Sequence, residues 1–178
     1  MARARFLFLF ALPLLAAGDV AAVPPGSTKA QDAFALCQLA EQLSGDARVE
    51  LLTRGIELAE AAVAADRRDA LAHFALFCNL GRRAQTAGVG FAGAVAVYRA
   101  LRAIDTALEL ASDDPDVIAA KGALLVQLPP LLGGDEARGE QCLRRALTLD
   151  PNHGPARGYL ADVLAHRGAA DDAPRTDD

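Results

Sequence analysis

Three histidines are the side chains of this 178-residue chain best suited to acid–base catalysis or metal binding. His73, His153 and His166 are scattered too widely to form a metal triad by spacing, and no His-Glu-x-x-His motif occurs. The pattern around His73 is that of a packed, partly buried side chain. No nucleophile elbow or nucleophile–base pair accompanies them. We therefore expect no catalytic residue, no metal site and no cofactor, and we interpret the protein as non-enzymatic.

The three cysteines also lack the spacing of a chemical site. Cys37, Cys78 and Cys142 include no Cys-x-x-Cys pair, which argues against a structural zinc site or a haem attachment site. Each lies within an apolar helical pattern, where a free cysteine packs as a small hydrophobic residue. We expect buried thiols, and a Cys37–Cys78 disulfide is the alternative in an oxidising compartment.

One glycine-rich stretch matches a nucleotide-binding motif in sequence but lacks the structural context that the motif requires. Residues 88–93 read Gly-Val-Gly-Phe-Ala-Gly, which fits G-x-G-x-x-G. That fingerprint binds a dinucleotide only between a strand and a helix, whereas a helical pattern precedes it here. We predict a flexible loop between helices over residues 85–92, and no nucleotide.

Composition favours helices and argues against nucleic-acid binding. Hydrophobic residues make up 52% of the chain but aromatic residues only 5%, and alanine is abundant, which suits closely packed helices better than a sheet. The formal net charge is −5, with no basic stripe that could neutralise phosphates. We therefore expect no nucleic-acid partner.

The N-terminal residues have the pattern of a secretory signal peptide. Arg3 and Arg5 precede an apolar run over residues 6–15, and small residues then offer a cleavage point before Asp19. No cysteine follows the run, which excludes lipid attachment there. We predict a signal peptide over 1–18, a linker over 19–27, a helical domain over 28–168 and a disordered acidic tail over 169–178. The mature protein is expected to be periplasmic or otherwise secreted, without membrane insertion.

Hydrophobic periodicity predicts seven helices, at about 30–43, 46–65, 70–83, 94–111, 115–126, 136–150 and 155–167. Thr28 and Gln31 fit a capping box, and four aspartates, Asp46, Asp69, Asp114 and Asp135, are predicted N-caps. Gly168 is predicted to end the last helix. Between the fifth and sixth helices, Leu128, Leu131 and Leu132 are expected to be buried and to hold an ordered loop.

Three helix ends repeat one another. Ala62, Ala107 and Ala146 open similar apolar turns over residues 62–66, 107–111 and 146–150. Repeats of this length, each a helix pair, are typical of solenoids in which every unit buries its face on the next.

These repeats resemble the tetratricopeptide (TPR) family. The residues that carry the resemblance are Ala62, Ala100, Ile104, Ala107, Gly122, Leu143, Ala146 and Pro151. The family implies an all-α, right-handed solenoid of helical hairpins, here about three pairs and a C-terminal capping helix. The glycine of its Leu-Gly pair, here Gly122, marks a close approach between helices.

The stretch Leu-Pro-Pro-Leu-Leu-Gly-Gly-Asp over residues 128–135 is similar to a smaller group, the periplasmic helical-repeat component associated with TRAP-type transporters. That resemblance implies a solute-binding protein as partner and a small apolar ligand.

In TPR proteins the first helix of each pair lines a concave groove. The resemblance places Phe74, Cys78 and Arg82 there, then Asp116, Ala119 and Ala123, then Gly158 and Asp162. An equally weighted interpretation is that Phe74 and Cys78 belong to the core. We interpret the chain as an exported scaffold that binds another envelope protein, and the alternative is a periplasmic carrier of a small apolar ligand.

Overall fold

The computed structural model describes the backbone of residues 26–87 and 91–171, and side chains over 26–86 and 93–167. The predicted signal peptide, almost all of the linker, residues 88–90 of the glycine-rich loop and most of the acidic tail lie outside these ranges.

The described residues form seven α-helices and no strand, so the prediction of an all-helical chain is confirmed. The helices are α1 (Thr28–Leu39), α2 (Gly45–Ala65), α3 (Ala70–Ala87), α4 (Phe91–Leu110), α5 (Pro115–Gln127), α6 (Glu136–Leu149) and α7 (Gly154–Asp171). Short 3₁₀ turns follow α1 at Ala40–Gln42 and follow α5 at Pro130–Leu132. Within these ranges no helix is both long enough and apolar enough to cross a bilayer.

Two helix ends differ from the prediction because glycine and small residues do not by themselves stop a helix. α3 continues to Ala87 and α4 begins at Phe91, so most of the predicted loop over 85–92 is helical. α7 likewise runs past Gly168 to Asp171. A glycine inside a helix costs only about 1 kcal/mol relative to alanine, which neighbouring helical residues and packing easily outweigh.

The predicted aspartate caps are confirmed at three helices. The Asp69, Asp114 and Asp135 carboxylates accept backbone N–H groups of the first turns of α3, α5 and α6. The first two predicted caps are wrong. Ser27, not Thr28, caps α1, because its Oγ accepts the N–H of Ala30 at 3.3 Å. α2 starts after Ser44, so Asp46 lies in its first turn instead of capping it.

Small residues set the distance between neighbouring helices. α1, α2 and α3 pack against one another, α3 packs along α4, and α5 packs along α6, with α7 against both α5 and α6. The contact positions of α1, α2 and α3 are almost all alanines without exposed surface, namely Ala30, Ala33, Ala59, Ala62, Ala72 and Ala75. Close alanine contacts replace the large side chains that the composition lacks.

The repeat signature occupies buried positions except at its proline. Ala62, Ala100, Ala107 and Ala146 have at most 1% of their surface exposed, while Pro151 is exposed in the turn before α7. Gly122 lies at the α5–α6 contact, as the resemblance implied. A Cβ there would come 2.9 Å from the carbonyl oxygen of Gly139, and a Cβ at Gly139 would come 2.9 Å from that of Gly122.

The loop between α5 and α6 is ordered, but its leucines do not hold it. Leu131 is 94% exposed and Leu132 38%, so the predicted burial is wrong for both, and Leu128 is only half-buried. Backbone hydrogen bonds fix the loop instead: Pro129 accepts from Leu132 and Gly134, and Leu125 accepts from Asp135. Gly133 has a φ of 90°, a conformation that favours glycine.

Substituting Gly122 by alanine should destabilise the protein. The new methyl group would meet the Gly139 carbonyl and the Leu143 side chain at 2.9 Å, so we expect a loss of about 1–3 kcal/mol. Thermal unfolding measures it. The matched control is Gly158→Ala on α7, where a Cβ meets nothing within 4 Å and helix propensity should raise stability by about 0.5–1 kcal/mol. Equal melting temperatures for Gly122→Ala and the unaltered protein would contradict the tight contact.

Asp69 joins the starts of two helices. Its Oδ1 accepts the N–H of Ala72 at 3.0 Å, and its Oδ2 accepts the N–H of Ser27 at 2.8 Å. Burial raises the pKa of this carboxyl, but the backbone hydrogen bonds from Ser27 and Ala72 outweigh it, so the net pKa is lowered. The carboxylate form therefore stabilises the fold at neutral pH.

That stabilisation should disappear in acid. Because the folded pKa of Asp69 lies below the unfolded value of about 3.9, its contribution is complete above that value and is lost as pH falls through the folded pKa. We expect Asp69→Asn to be less stable than the unaltered protein at neutral pH, with a difference that narrows in acid. Urea unfolding of both proteins at several pH values measures this. A difference independent of pH would contradict the assignment.

Candidate functional site

An apolar pocket of about 150 Å³ lies between the starts of α3 and α5. We refer to it as the α3–α5 pocket. Three helices and the turn after α4 supply its lining, which is apolar except for two aspartates. The lining residues are Phe34, Ala70, Leu71, Phe74, Ala111, Asp114, Asp116 and Val117.

Aromatic rings form the floor of this pocket. The ring centroids of Phe34 and Phe74 lie 5.4 Å apart, and those of Phe74 and Phe77 lie 6.1 Å apart. Phe74 and Phe77 also pack against the cluster of Ile104, Ala107 and Val117. These bulky rings fill the space between α3 and α5, where alanines would have let the two helices approach. Ala70 and Ala111 are too small to fill the opening above the rings, so a recess remains.

Two carboxylates form the rim of the pocket, and both are held in place. Asp114 caps α5 by accepting the N–H groups of Asp116 and Val117 at 2.8 and 3.1 Å. The Oδ1 of Asp116 lies 2.9 Å from the Nε2 of His153. His153 Nδ1 accepts a hydrogen bond from the N–H of Ala156 at 3.0 Å. The hydrogen of the ring is therefore on Nε2, which donates a hydrogen bond to Asp116.

Neither carboxylate of the rim pairs with a basic side chain. Within the part of the chain that the structure describes, no lysine or arginine forms a salt bridge with Asp114 or Asp116. Some acidic side chains elsewhere do pair with cations: Asp105 with Lys121 at 2.7 Å, Asp113 with Arg145 at 2.9 Å, and Glu140 with Arg144 and Arg167. Others of the described surface, such as Asp46, Glu50 and Glu109, resemble the rim in having no such partner. The pocket therefore combines an apolar floor with a negative edge.

The structure brings together three of the predicted groove residues. Phe74, Cys78 and Arg82 lie one turn apart along α3, and Phe74 lines the pocket. Arg82 turns back towards α1, where its Nε donates to the Sγ of Cys37 at 3.1 Å and its guanidinium pairs with Glu41.

The other predicted groove residues lie elsewhere. Ala119 and Ala123 are only 3% and 7% exposed, so they offer little surface to a partner. Ala119 belongs to a core cluster with Leu143 and Ala156. Gly158 and Asp162 are exposed on α7, away from the pocket lining. Of the groove residues predicted on α5 and α7, Asp116 alone lines the α3–α5 pocket.

A disulfide links Cys37 to Cys78, with 6.1 Å between the Cα atoms, so the expectation of free thiols is wrong for this pair. It joins α1 to α3 one helical turn beyond Phe34 and Phe74, next to the pocket floor. Spacing along the sequence could not reveal it, because the bond depends on α3 folding back against α1. Cys142 is free, and burial raises the pKa of its thiol, which makes it a poor nucleophile at neutral pH.

Other parts of the described surface offer less. A larger recess of about 400 Å³ is lined from a single helix, α4, by Arg102, Asp105, Thr106, Leu108 and Glu109, so it is a shallow depression and not an enclosed site. Among the described residues, no cluster of three or more histidine, cysteine or acidic side chains could hold a metal ion.

Sequence reasoning missed Phe34, Leu71, Ala111 and Val117 as neighbours of Phe74. Of the other lining residues, Asp114 was predicted only as a helix cap. No protein-family model matches this chain, and no curated protein matches it. The resemblance to TPR proteins therefore rests on the repeated residues of the sequence alone.

Removing the disulfide should lower stability and loosen the pocket floor. The bond closes a loop with a sequence separation of 41, for which chain entropy predicts about 3–4 kcal/mol. We expect a dithiol reductant to lower the melting temperature of the unaltered protein. The melting temperature of the Cys37→Ala/Cys78→Ala variant should not change when the reductant is added. Cys142→Ala is the matched control and should respond to the reductant as the unaltered protein does. A melting temperature insensitive to reductant would contradict the bridge.

Proposed function

We propose that this chain is an exported, TPR-like helical-repeat scaffold of the cell envelope that binds another protein and is not an enzyme. In this proposal its helices form a right-handed solenoid of three hairpins, α1–α2, α3–α4 and α5–α6, and α7 caps the end. The observation that carries the proposal is the α3–α5 pocket, because it opens between the first helices of two successive hairpins. That is the face on which TPR proteins bind partners.

The packing of the helices supports the repeat assignment. Each proposed hairpin is formed by two helices that pack along each other, and α3 also packs against both helices of the preceding hairpin. Ala62, Ala107 and Ala146 take equivalent buried positions near the ends of the second helices. Solenoid units stack in this way because each needs the next to bury its apolar face.

The size of the pocket favours a protein partner over a carried ligand. Sites for small-molecule ligands typically measure about 300–1,000 Å³ and enclose most of the ligand. The α3–α5 pocket measures about 150 Å³, which suits a single side chain. We therefore place the scaffold ahead of the alternative, a periplasmic carrier of a small apolar ligand that acts with a TRAP-type solute-binding protein.

The disulfide supports the proposed compartment. Disulfides persist in periplasmic and secreted proteins and are rare in reducing cytosol. The Cys37–Cys78 bridge therefore agrees with export directed by the apolar segment over residues 6–15.

Native mass spectrometry of the protein isolated gently from the envelope of its host tests this function. We expect a second polypeptide in fixed stoichiometry. Ala70→Phe should weaken that complex about tenfold, because the new ring would fill the pocket where a partner side chain inserts. Phe74→Ala is less informative, since Phe74 packs against the core as well as lining the pocket.

The matched control for Ala70→Phe is Ala64→Phe, which adds the same ring at an exposed position near the end of α2. We expect it to leave the complex intact, and both variants to melt near the unaltered protein. A protein that carries an apolar small molecule and no polypeptide would overturn the scaffold proposal and favour the carrier.

A further inference from the structure

We propose that the α3–α5 pocket takes one apolar side chain from an extended segment of the partner, and that a lysine or arginine next to that side chain pairs with Asp114 and Asp116. This inference rests on the proposed function, in that it assumes a polypeptide partner. It adds the chemistry of the segment that the partner must present.

The floor of the pocket defines the apolar part. Phe34, Leu71, Phe74 and Val117 surround a space that one side chain of the size of leucine would fill. Burying such a side chain releases ordered water from both surfaces, and the rings of Phe34 and Phe74 provide a flat apolar wall. The pocket has room for only one side chain, so a single residue of the partner's extended segment enters it.

The rim defines the charged part. Asp114 and Asp116 stand at the start of α5, and within the described residues no lysine or arginine neutralises either of them. The neighbouring carboxylate of Asp113, in contrast, already pairs with Arg145. Two carboxylates without a lysine or arginine partner, beside an apolar recess, complement a cationic side chain of the partner and repel an acidic one.

The carboxylates are also held in position before any partner arrives. Asp114 is fixed by the N–H groups that it caps, and Asp116 by the Nε2–H of His153. Binding therefore does not have to order these two side chains, which lowers its entropic cost. His153 acts through Asp116 and is a positioning residue.

One competing occupant lies within the chain itself. Gly26 lies against Leu71, since a Cβ at Gly26 would come 2.6 Å from the Cβ of Leu71. Gly26 therefore lies beside the pocket, and in the sequence before it Val20 to Val23 are all apolar. They include no lysine or arginine, so they match the floor of the pocket but not its rim.

Short synthetic peptides test the proposed chemistry. Three peptides of equal length carry Lys-Leu-Lys, Glu-Leu-Glu or Lys-Ala-Lys between glycine and serine flanks. Each is titrated at low salt into the ¹⁵N-labelled, exported protein, and amide signals are followed by NMR. We expect the Lys-Leu-Lys peptide to shift Leu71, Ala111 and Val117, with a Kd near about 1 mM, and the other two to bind about fivefold or more weakly.

Charge variants separate the rim from the floor. Asp114→Ser/Asp116→Asn removes both charges but keeps an acceptor for the α5 cap and one for His153. We expect it to lose the preference for lysine over glutamate. Asp46→Asn/Glu50→Gln removes the same charge from exposed positions on α2 and should keep that preference. Added salt should reduce it in the unaltered protein.

Equal binding of the Lys-Leu-Lys and Glu-Leu-Glu peptides would overturn the inference, as would peptide shifts confined to other helices. Binding seen only after deletion of residues 19–25 would also overturn it and assign the pocket to the chain's own N-terminal segment. The inference fails while the proposed function stands if Ala70→Phe disrupts the envelope complex but Asp114→Ser/Asp116→Asn does not. Selective peptide binding without any captured polypeptide would support the pocket chemistry and count against the envelope scaffold.

Discussion

The size of the side chain at each helix contact is the constraint on which this structure depends. Alanines and glycines let α1, α2 and α3 approach closely, and Gly122 and Gly139 do the same for α5 and α6. Between α3 and α5 the chain instead places Phe74 and Phe77. The α3–α5 pocket lies beside these rings, and its lining combines Phe34 and Phe74 with the small side chains of Ala70 and Ala111.

Helix caps and one disulfide stabilise the arrangement of helices that packing produces. Asp69, Asp114 and Asp135 each cap a helix by accepting backbone N–H groups of its first turn. Asp69 also accepts a hydrogen bond from the backbone N–H of Ser27. The disulfide fixes α1 against α3 beside the rings. Asp69, Asp114 and the disulfide lie next to or within the lining of the α3–α5 pocket, whereas Asp135 acts at the start of α6.

Local features of the sequence predicted much of the fold, and non-local ones did not. The helices and the three aspartate caps depend on residues within a few positions of one another, which periodicity and capping rules describe. The helix ends predicted at Gly168 and near residue 90 were wrong, because packing outweighs the weak tendency of glycine to end a helix. The disulfide and the pocket depend on which helices become neighbours. Phe74 could be suspected from the family pattern, but Ala111 could not, since it matters only by leaving space unfilled.

The paired glycines at the α5–α6 contact have a consequence for how this sequence can change. What blocks a side chain at Gly122 is the backbone carbonyl of Gly139, and the converse also holds. No substitution at either position can remove a carbonyl, so a larger residue at one cannot be rescued by a smaller one at the other. Sequence drift should therefore spare both positions together. Distant relatives whose other residues have diverged should therefore be recognisable by a glycine at each of these two positions, before and after the loop between α5 and α6.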